Sequence, residues 1–153
     1  MSNTYTQIHI QLIFAVQYRE AMIANEWKDE LYKYITGIIQ AQKHKLMIIN
    51  GMPDHLHILI GYRPHQALAE LLQDIKGGSS KWINEKKFTR TKFRWQEGYG
   101  AFSYSQSHLE RVINYIKTQE EHHKKQTFNE EYQSFLKVYN IEYDERYVLH
   151  EPE

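Results

Sequence analysis

From Ile8 to Val16 the chain alternates, with Ile8, Ile10, Leu12, Phe14 and Val16 on one side of "YTQIHIQLIFAVQY" (5–18). Successive strand residues point to opposite faces, so this pattern predicts a long strand with one buried face. The period then lengthens. Trp27, Leu31, Tyr34, Ile35, Ile38 and Ile39 recur at helical spacing through "EWKDELYKYITGIIQAQK", with Asn25 placed to cap that helix. "KLMIIN", "GMPD" and "HLHILIGY" read as strand, turn and strand, a hairpin. After Pro64, "HQALAELLQDIK" is helical, and the Gly77-Gly78 pair predicts an interruption before "SSKWINEKK". "FRWQEGYGAFSYS" is a loop or strand bent at Gly98 and Gly100. Ser107 with Glu110, and Thr127 with Glu130, form capping boxes that open two further helices, "HLERVINYIKTQEEHHKK" and "EYQSFLKVY". This order predicts an α+β, ferredoxin-like antiparallel sheet in a single domain over 1–153, with helices on one face, a core from about residue 5 to 130 and no repeats.

Length and composition agree with that architecture. The chain has 153 residues, 41% hydrophobic and 25% charged, enough for a real core in one domain. It has no cysteine, which excludes disulfides, thiolate metal sites and cysteine nucleophiles. No apolar run approaches a membrane span, and the opening "MSNTYTQ" lacks the basic start and apolar stretch of a secretory signal, so a cytoplasmic protein without a membrane partner is expected. The net charge is zero, but its distribution is uneven. Lys76, Lys81, Lys86, Lys87, Arg90, Lys92 and Arg94 face only Glu85 between residues 76 and 94. Glu130, Glu131, Glu142, Asp144, Glu145, Glu151 and Glu153 compensate in an acidic tail from about residue 128. A basic stretch can grip phosphates whatever the total charge; a salt-bridged, solvated surface is the competing reading.

Candidate chemistry sits in "PDHLHIL" (53–59). Positions i and i+2 of a strand share a face, so His55 and His57 look one way while Leu56, Ile58 and Ile60 anchor the strand on the other. Two imidazoles on one face can hold one metal ion, or can be hydrogen-bonded structural residues. In the helix from 107, Leu109, Val112, Ile113 and Ile116 form a buried stripe, with Tyr115 and Gln119 together on its flank, one turn apart. The adjacent His122 and His123 diverge by about 100° on a helix, a poor chelate, and read as a solvated face.

"DHLH" in a strand, then "KGGSSKWIN", then "W-x-x-GYGAFSYS", then "YIKTQEEHHKK", together with the opening "IHIQLIFAVQYR", resembles the single-tyrosine HUH transposases of small, hairpin-ended bacterial insertion sequences, a family that includes the REP-associated tyrosine transposases. The likeness runs from about residue 5 to 130. It implies that His55 and His57 are metal ligands, Gln119 the third ligand and Tyr115 the nucleophile. It further implies a divalent ion, Mg2+ with Mn2+ as an alternative, and a Rep-like fold built as a homodimer whose tyrosine helix docks on the partner's histidines. Single-stranded DNA with hairpins is the implied substrate, cut through a 5′-phosphotyrosine. Lys76, Lys81, Lys86, Lys87, Arg90, Lys92 and Arg94 would then track phosphates, with Trp82, Phe93, Trp95 and Tyr99 as candidate stacking surfaces; core packing is the alternative for each aromatic. A domesticated transposase acting on repetitive palindromes and a non-catalytic hairpin binder remain as alternatives. A hydrolase using the HxH pair alone fits poorly, since Leu59 occupies the next same-face position where a histidine triad needs a third imidazole.

Overall fold

Four strands, β1 (His9–Ala15), β2 (Lys45–Met52), β3 (His55–Gly61) and β4 (Gly100–Tyr104), make one antiparallel sheet in the order β2-β3-β1-β4 in the computed structural model, which describes residues 4–122 and 126–139. Helices α1 (Lys28–Ala41) and α2 (Leu68–Lys86) connect them and cover one face. The expected ferredoxin-like arrangement is therefore present. Its main core joins Leu12, Phe14 and Val16 of the first strand to Leu56, Ile58 and Ile60 of the third and to Leu31, Ile35, Ile39, Leu71 and Ile75 of the two helices.

The opposite face is covered as well. Helices α3 (Leu109–Lys117), α4 (Gln119–His122) and α5 (Phe128–Val138) follow the last strand, and two smaller clusters tie them to the sheet. Ile13, Ala15 and Phe102 pack with Phe128, Tyr132 and Leu136, while Leu59 packs with Leu109, Val112 and Ile116. Hence β1 is buried on both faces along Gln11–Ala15, not on one. His123 and the acidic tail from residue 140 onward lie outside the described residues.

Three local expectations change. The first helix starts at Lys28, with Trp27 rather than Asn25 at the N-cap position and no side-chain cap hydrogen bond there. Gly77-Gly78 does not interrupt α2, because burial of Leu71, Leu72, Ile75, Ser79 and Ile83 outweighs the roughly 1 kcal/mol that each helical glycine costs. Gly78 instead lets α2 approach α1, since a Cβ there would stand 3.1 Å from Ile38 Cδ1. The box at Ser107 does not form: residues Gln106–His108 make a 3-10 turn, and the Ser107 hydroxyl meets that of Ser105 at 3.0 Å. The box at Thr127 does form, with the Glu130 N–H donating to Thr127 Oγ1 at 3.2 Å.

Candidate active site

The β2-β3 hairpin turns at Pro53-Asp54, and a Cβ on Gly51 would collide with the His55 carbonyl, so the turn closes only because residue 51 is glycine. The register then sets His55 opposite Ala15 and Met52, and His57 opposite Ile13 and Asn50. Both imidazoles are fully buried on the face covered by α3 and α5.

Each ring is fixed through Nδ1. Gln11 Nε2 donates to the Tyr104 hydroxyl at 2.7 Å, which turns Gln11 Oε1 toward His57 Nδ1, also at 2.7 Å. Asp54 Oδ1 takes His55 Nδ1 at 2.7 Å. Both oxygens only accept, so both Nδ1 atoms donate to them, and this fixes each ring with its Nε2 turned the other way, into the interior. Burial works against ionisation of Asp54, but the hydrogen bond and charge of His55, with the Arg19 guanidinium 3.5 Å away, outweigh it and hold the carboxyl below its usual range. Phe128 stacks on the His55 ring at 3.8 Å, and Arg19 lies 5.1 Å over the Phe128 ring.

Both Nε2 atoms face one carboxylate. Glu131, 1% exposed in the first turn of α5, puts Oε1 at 3.1 Å from His57 Nε2 and 3.9 Å from His55 Nε2. Ligand atoms of His55, His57 and Glu131 all lie within 4.8 Å of one another. His57 Nε2 and the carboxylate are at hydrogen-bond distance, so either a shared proton or a cation relieves the repulsion among these buried groups. The donor set, two imidazoles oriented from behind and one carboxylate, therefore fits a divalent metal.

The tyrosine arrives from the other side of the same carboxylate. The Tyr115 hydroxyl donates to Glu131 Oε2, and its ring centroid is 6.2 Å from that of His57. Burial first, then the charge and hydrogen bond of Glu131, push the phenol well above its ordinary value, with a hydrogen bond from Gln119 acting the other way. In this arrangement Tyr115 keeps its proton. The chain brings Tyr115 to its own His57, where the resemblance implied a partner's. Gln119 is fully buried; its Nε2 donates to the Tyr115 carbonyl at 3.3 Å. The helix predicted to run unbroken past it stops at Thr118, whose hydroxyl donates to the Asn114 carbonyl at 2.9 Å. Asn50, opposite His57, donates to the exposed end of α3 at the Ile116 and Lys117 carbonyls, 2.9 and 3.3 Å away.

The basic stretch divides. Lys81, Lys86, Lys87, Arg90, Lys92 and Arg94 are exposed, and Lys81, Lys92 and Arg94 line a shallow groove of about 480 Å³. Lys76 is half-buried and donates to the Gln96 and Gly98 carbonyls at 2.7 and 2.8 Å, tying the loop before β4 to α2. Among the aromatics, Phe93 and Trp95 are core residues: Trp95 packs edge-on to Phe14 and Phe93 and donates Nε1 to Ser79 Oγ at 2.9 Å, which leaves no face for a base. Trp82 stacks on Tyr34 at 4.8 Å, and Tyr99 is exposed.

Sequence reasoning missed Glu131, assigned only to the compensating acidic tail, and it missed Gln11, Asn50 and Asp54. One signal was present for Glu131: the Thr127 box fixes a helix start that places Phe128 and Glu131 three residues apart on one face.

A chain folded in this way, with two oriented histidines and a tyrosine meeting at one buried point, falls by comparison among the transposases, enzymes that cut DNA. It belongs to the IS200-like transposase family, whose sequence model matches residues 4–119. The ISDra2 transposase TnpA of Deinococcus radiodurans is 25% identical over 120 residues, 74% of this chain and 84% of that protein. A crystal structure described as a transposase from Deinococcus radiodurans R1 superposes with a TM-score of 0.64 at 21% identity, covering 78% of this chain and 95% of that one. The structure of a REP-associated tyrosine transposase bound to a REP hairpin superposes with a TM-score of 0.61 at 11% identity, covering 80% and 73%. Among the described residues, no helix is long and apolar enough to cross a membrane.

Proposed function

We propose that this chain cleaves and rejoins single-stranded DNA at hairpin-marked ends of an insertion element, with Tyr115 as nucleophile and a divalent ion on His55 and His57. The observation that carries the reading is the convergence of both imidazoles and the Tyr115 phenol on the Glu131 carboxylate. We assign the third donor to Glu131, and give Gln119, the donor implied by resemblance, the task of steadying the tyrosine. When bound, the ion supplies charge that draws electron density from a phosphate. With two imidazoles and one carboxylate, Mn2+ is held more tightly than Mg2+, and Mg2+ is the ion implied by resemblance.

Glu131 and Gln119 hold the phenol beside His57, half-buried and protonated. Cleavage forms a bond from Tyr115 Oη to phosphorus and breaks the bond from phosphorus to the 3′-oxygen, which takes the proton. The products are a 5′-phosphotyrosine and a free 3′-OH. Attack by another 3′-OH on phosphorus reforms the diester and releases the Tyr115 oxygen, which takes back a proton; one phosphodiester is exchanged for another, so rejoining needs no ATP. Lys81, Lys92 and Arg94, with Glu85 the acid among them, line the shallow groove that we assign to a single strand. Its loop joins the sheet at the end that carries the histidines: the Gln17 N–H donates to the Arg94 carbonyl at 2.9 Å, just beyond Ala15, the pairing partner of His55. The hairpin bound by the REP-associated structural relative supports hairpin DNA as the substrate class.

The test is incubation with single-stranded oligonucleotides tiled across the DNA flanking the chain's own gene, with and without divalent ion, scored for covalent adducts. Wild-type protein forms a metal-dependent adduct on Tyr115, and Tyr115→Phe forms none while keeping its fold and hairpin affinity. Adducts persisting in Tyr115→Phe reject the assignment.

A further inference from the structure

Beside the metal-ligand cluster lies a pocket of about 360 Å³ whose wall includes Gln11, Tyr104, Arg111, Tyr115, Glu131 and Ser134. Arg111 is the only cation among the described residues that line it, and Glu131 the only acid. The carboxylate is already committed to His57 and to the phenol, whereas Arg111 is exposed and makes no ion pair or hydrogen bond among the described residues. Arg111 precedes Tyr115 by four positions in α3. Residues so spaced sit on one helix face, about 6 Å apart along the axis. Helical side chains lean toward the N-terminus, so the Tyr115 ring inclines over the turn from which Arg111 extends. A guanidinium with its fork unoccupied, in the same pocket as the nucleophilic oxygen, suits a phosphodiester. Its planar donors pair with two phosphate oxygens at once and its charge is independent of pH.

We propose that Arg111 is a phosphate-binding residue of the active site, gripping a non-bridging oxygen of the scissile phosphodiester so that phosphorus is presented to Tyr115 Oη. This inference rests on Tyr115 being the nucleophile and adds the group that recognises the anion under attack. No bond to Arg111 forms or breaks; its contribution is charge and direction. Since the residue lies at the rim, outside the clusters that hold α3 to the sheet, it is expendable for folding.

The experiment measures adduct formation by wild-type protein, Arg111→Lys and Arg111→Gln on the tiled oligonucleotide that the wild type cleaves. Each protein is also given the same oligonucleotide with a neutral methylphosphonate at the cut linkage. On the natural linkage Arg111→Gln is slower by roughly tenfold to a hundredfold, the size of one charge-assisted hydrogen bond. Arg111→Lys lies between, keeping charge but losing the fork. On the neutral linkage the gap between wild type and Arg111→Gln closes, because the charge that Arg111 reads has gone. Equal rates on the natural linkage, or the same deficit on both linkages, overturn the assignment while leaving Tyr115 in place. Failure of the wild type to form a Tyr115 adduct on any tile overturns the underlying function as well. Circular dichroism and thermal unfolding matched to the wild type confirm that the variants fold.

Discussion

His57 owes its orientation to a glutamine that is not itself a candidate ligand. Gln11 is aimed by Tyr104 and in turn fixes the His57 ring, as Asp54 does for His55. Outer groups of this kind typically contribute ten- to hundredfold to metal affinity. Calorimetric titration with Mn2+ is therefore expected to show Gln11→Leu weakened by about that factor, Glu131→Gln weakened further, and Gln119→Ala little changed. A large loss in Gln119→Ala with none in Glu131→Gln would move the third donor to Gln119. The pair His55 and His57 was legible from strand periodicity because both belong to one element, and the same holds for Tyr115 and Gln119 on their helical flank. Glu131 was not legible, since what makes it a partner of His57 is the docking of a later helix across the sheet, 74 residues along the chain. Local pattern carries no record of such a meeting.

At the scale of elements, the position of the tyrosine depends on how α3 ends. Thr118 diverts the helix by bonding back to Asn114, and Asn50 takes the carbonyls left over. The strand that stands opposite His57 thereby also holds the helix of Tyr115. Asn50→Ala leaves those carbonyls without the amide and is expected to lower stability by about 1 kcal/mol. Urea unfolding measures this loss. It is also expected to slow adduct formation by more than it changes Mn2+ affinity. Equal effects on both would make Asn50 a general brace of the sheet. The first three strands and α1 were readable from their apolar periods, whereas β4, five residues long, was legible only as a loop or strand. The helix stop at Thr118, the unbroken α2 and the 3-10 turn at Gln106–His108 depend on back-bonding and packing that outweigh local residue preferences.

Over the whole molecule the sheet separates two duties. The α1 and α2 face provides the main core, and the end of α2 with its following loop carries the exposed cations. The opposite face carries the histidines, Glu131 and the tyrosine. Because net charge is zero, attraction for DNA depends on where the cations stand and is screened by salt. Single-strand affinity is expected to fall linearly with salt on logarithmic axes. Lys92→Gln with Arg94→Gln should flatten that slope by roughly 0.7 for each phosphate no longer neutralised, as read by fluorescence anisotropy. An unchanged slope would remove these two residues from the DNA track. The alternation of apolar positions announced the α-covered face of β1; the second burial of that strand went unseen because its cover, α3 and α5, comes from the far end of the chain.

The hydrogen bonds described above for the histidines, Glu131 and the phenol come from β1, β2, β3, the last residue of β4 and the helices after it, and Phe102 of β4 packs under the helix that carries Glu131. Exposed positions from Lys81 to Arg94 can thus change without touching the hydrogen bonds that align the histidines, Glu131 and the phenol, while the buried residues between them stay tied to the main core.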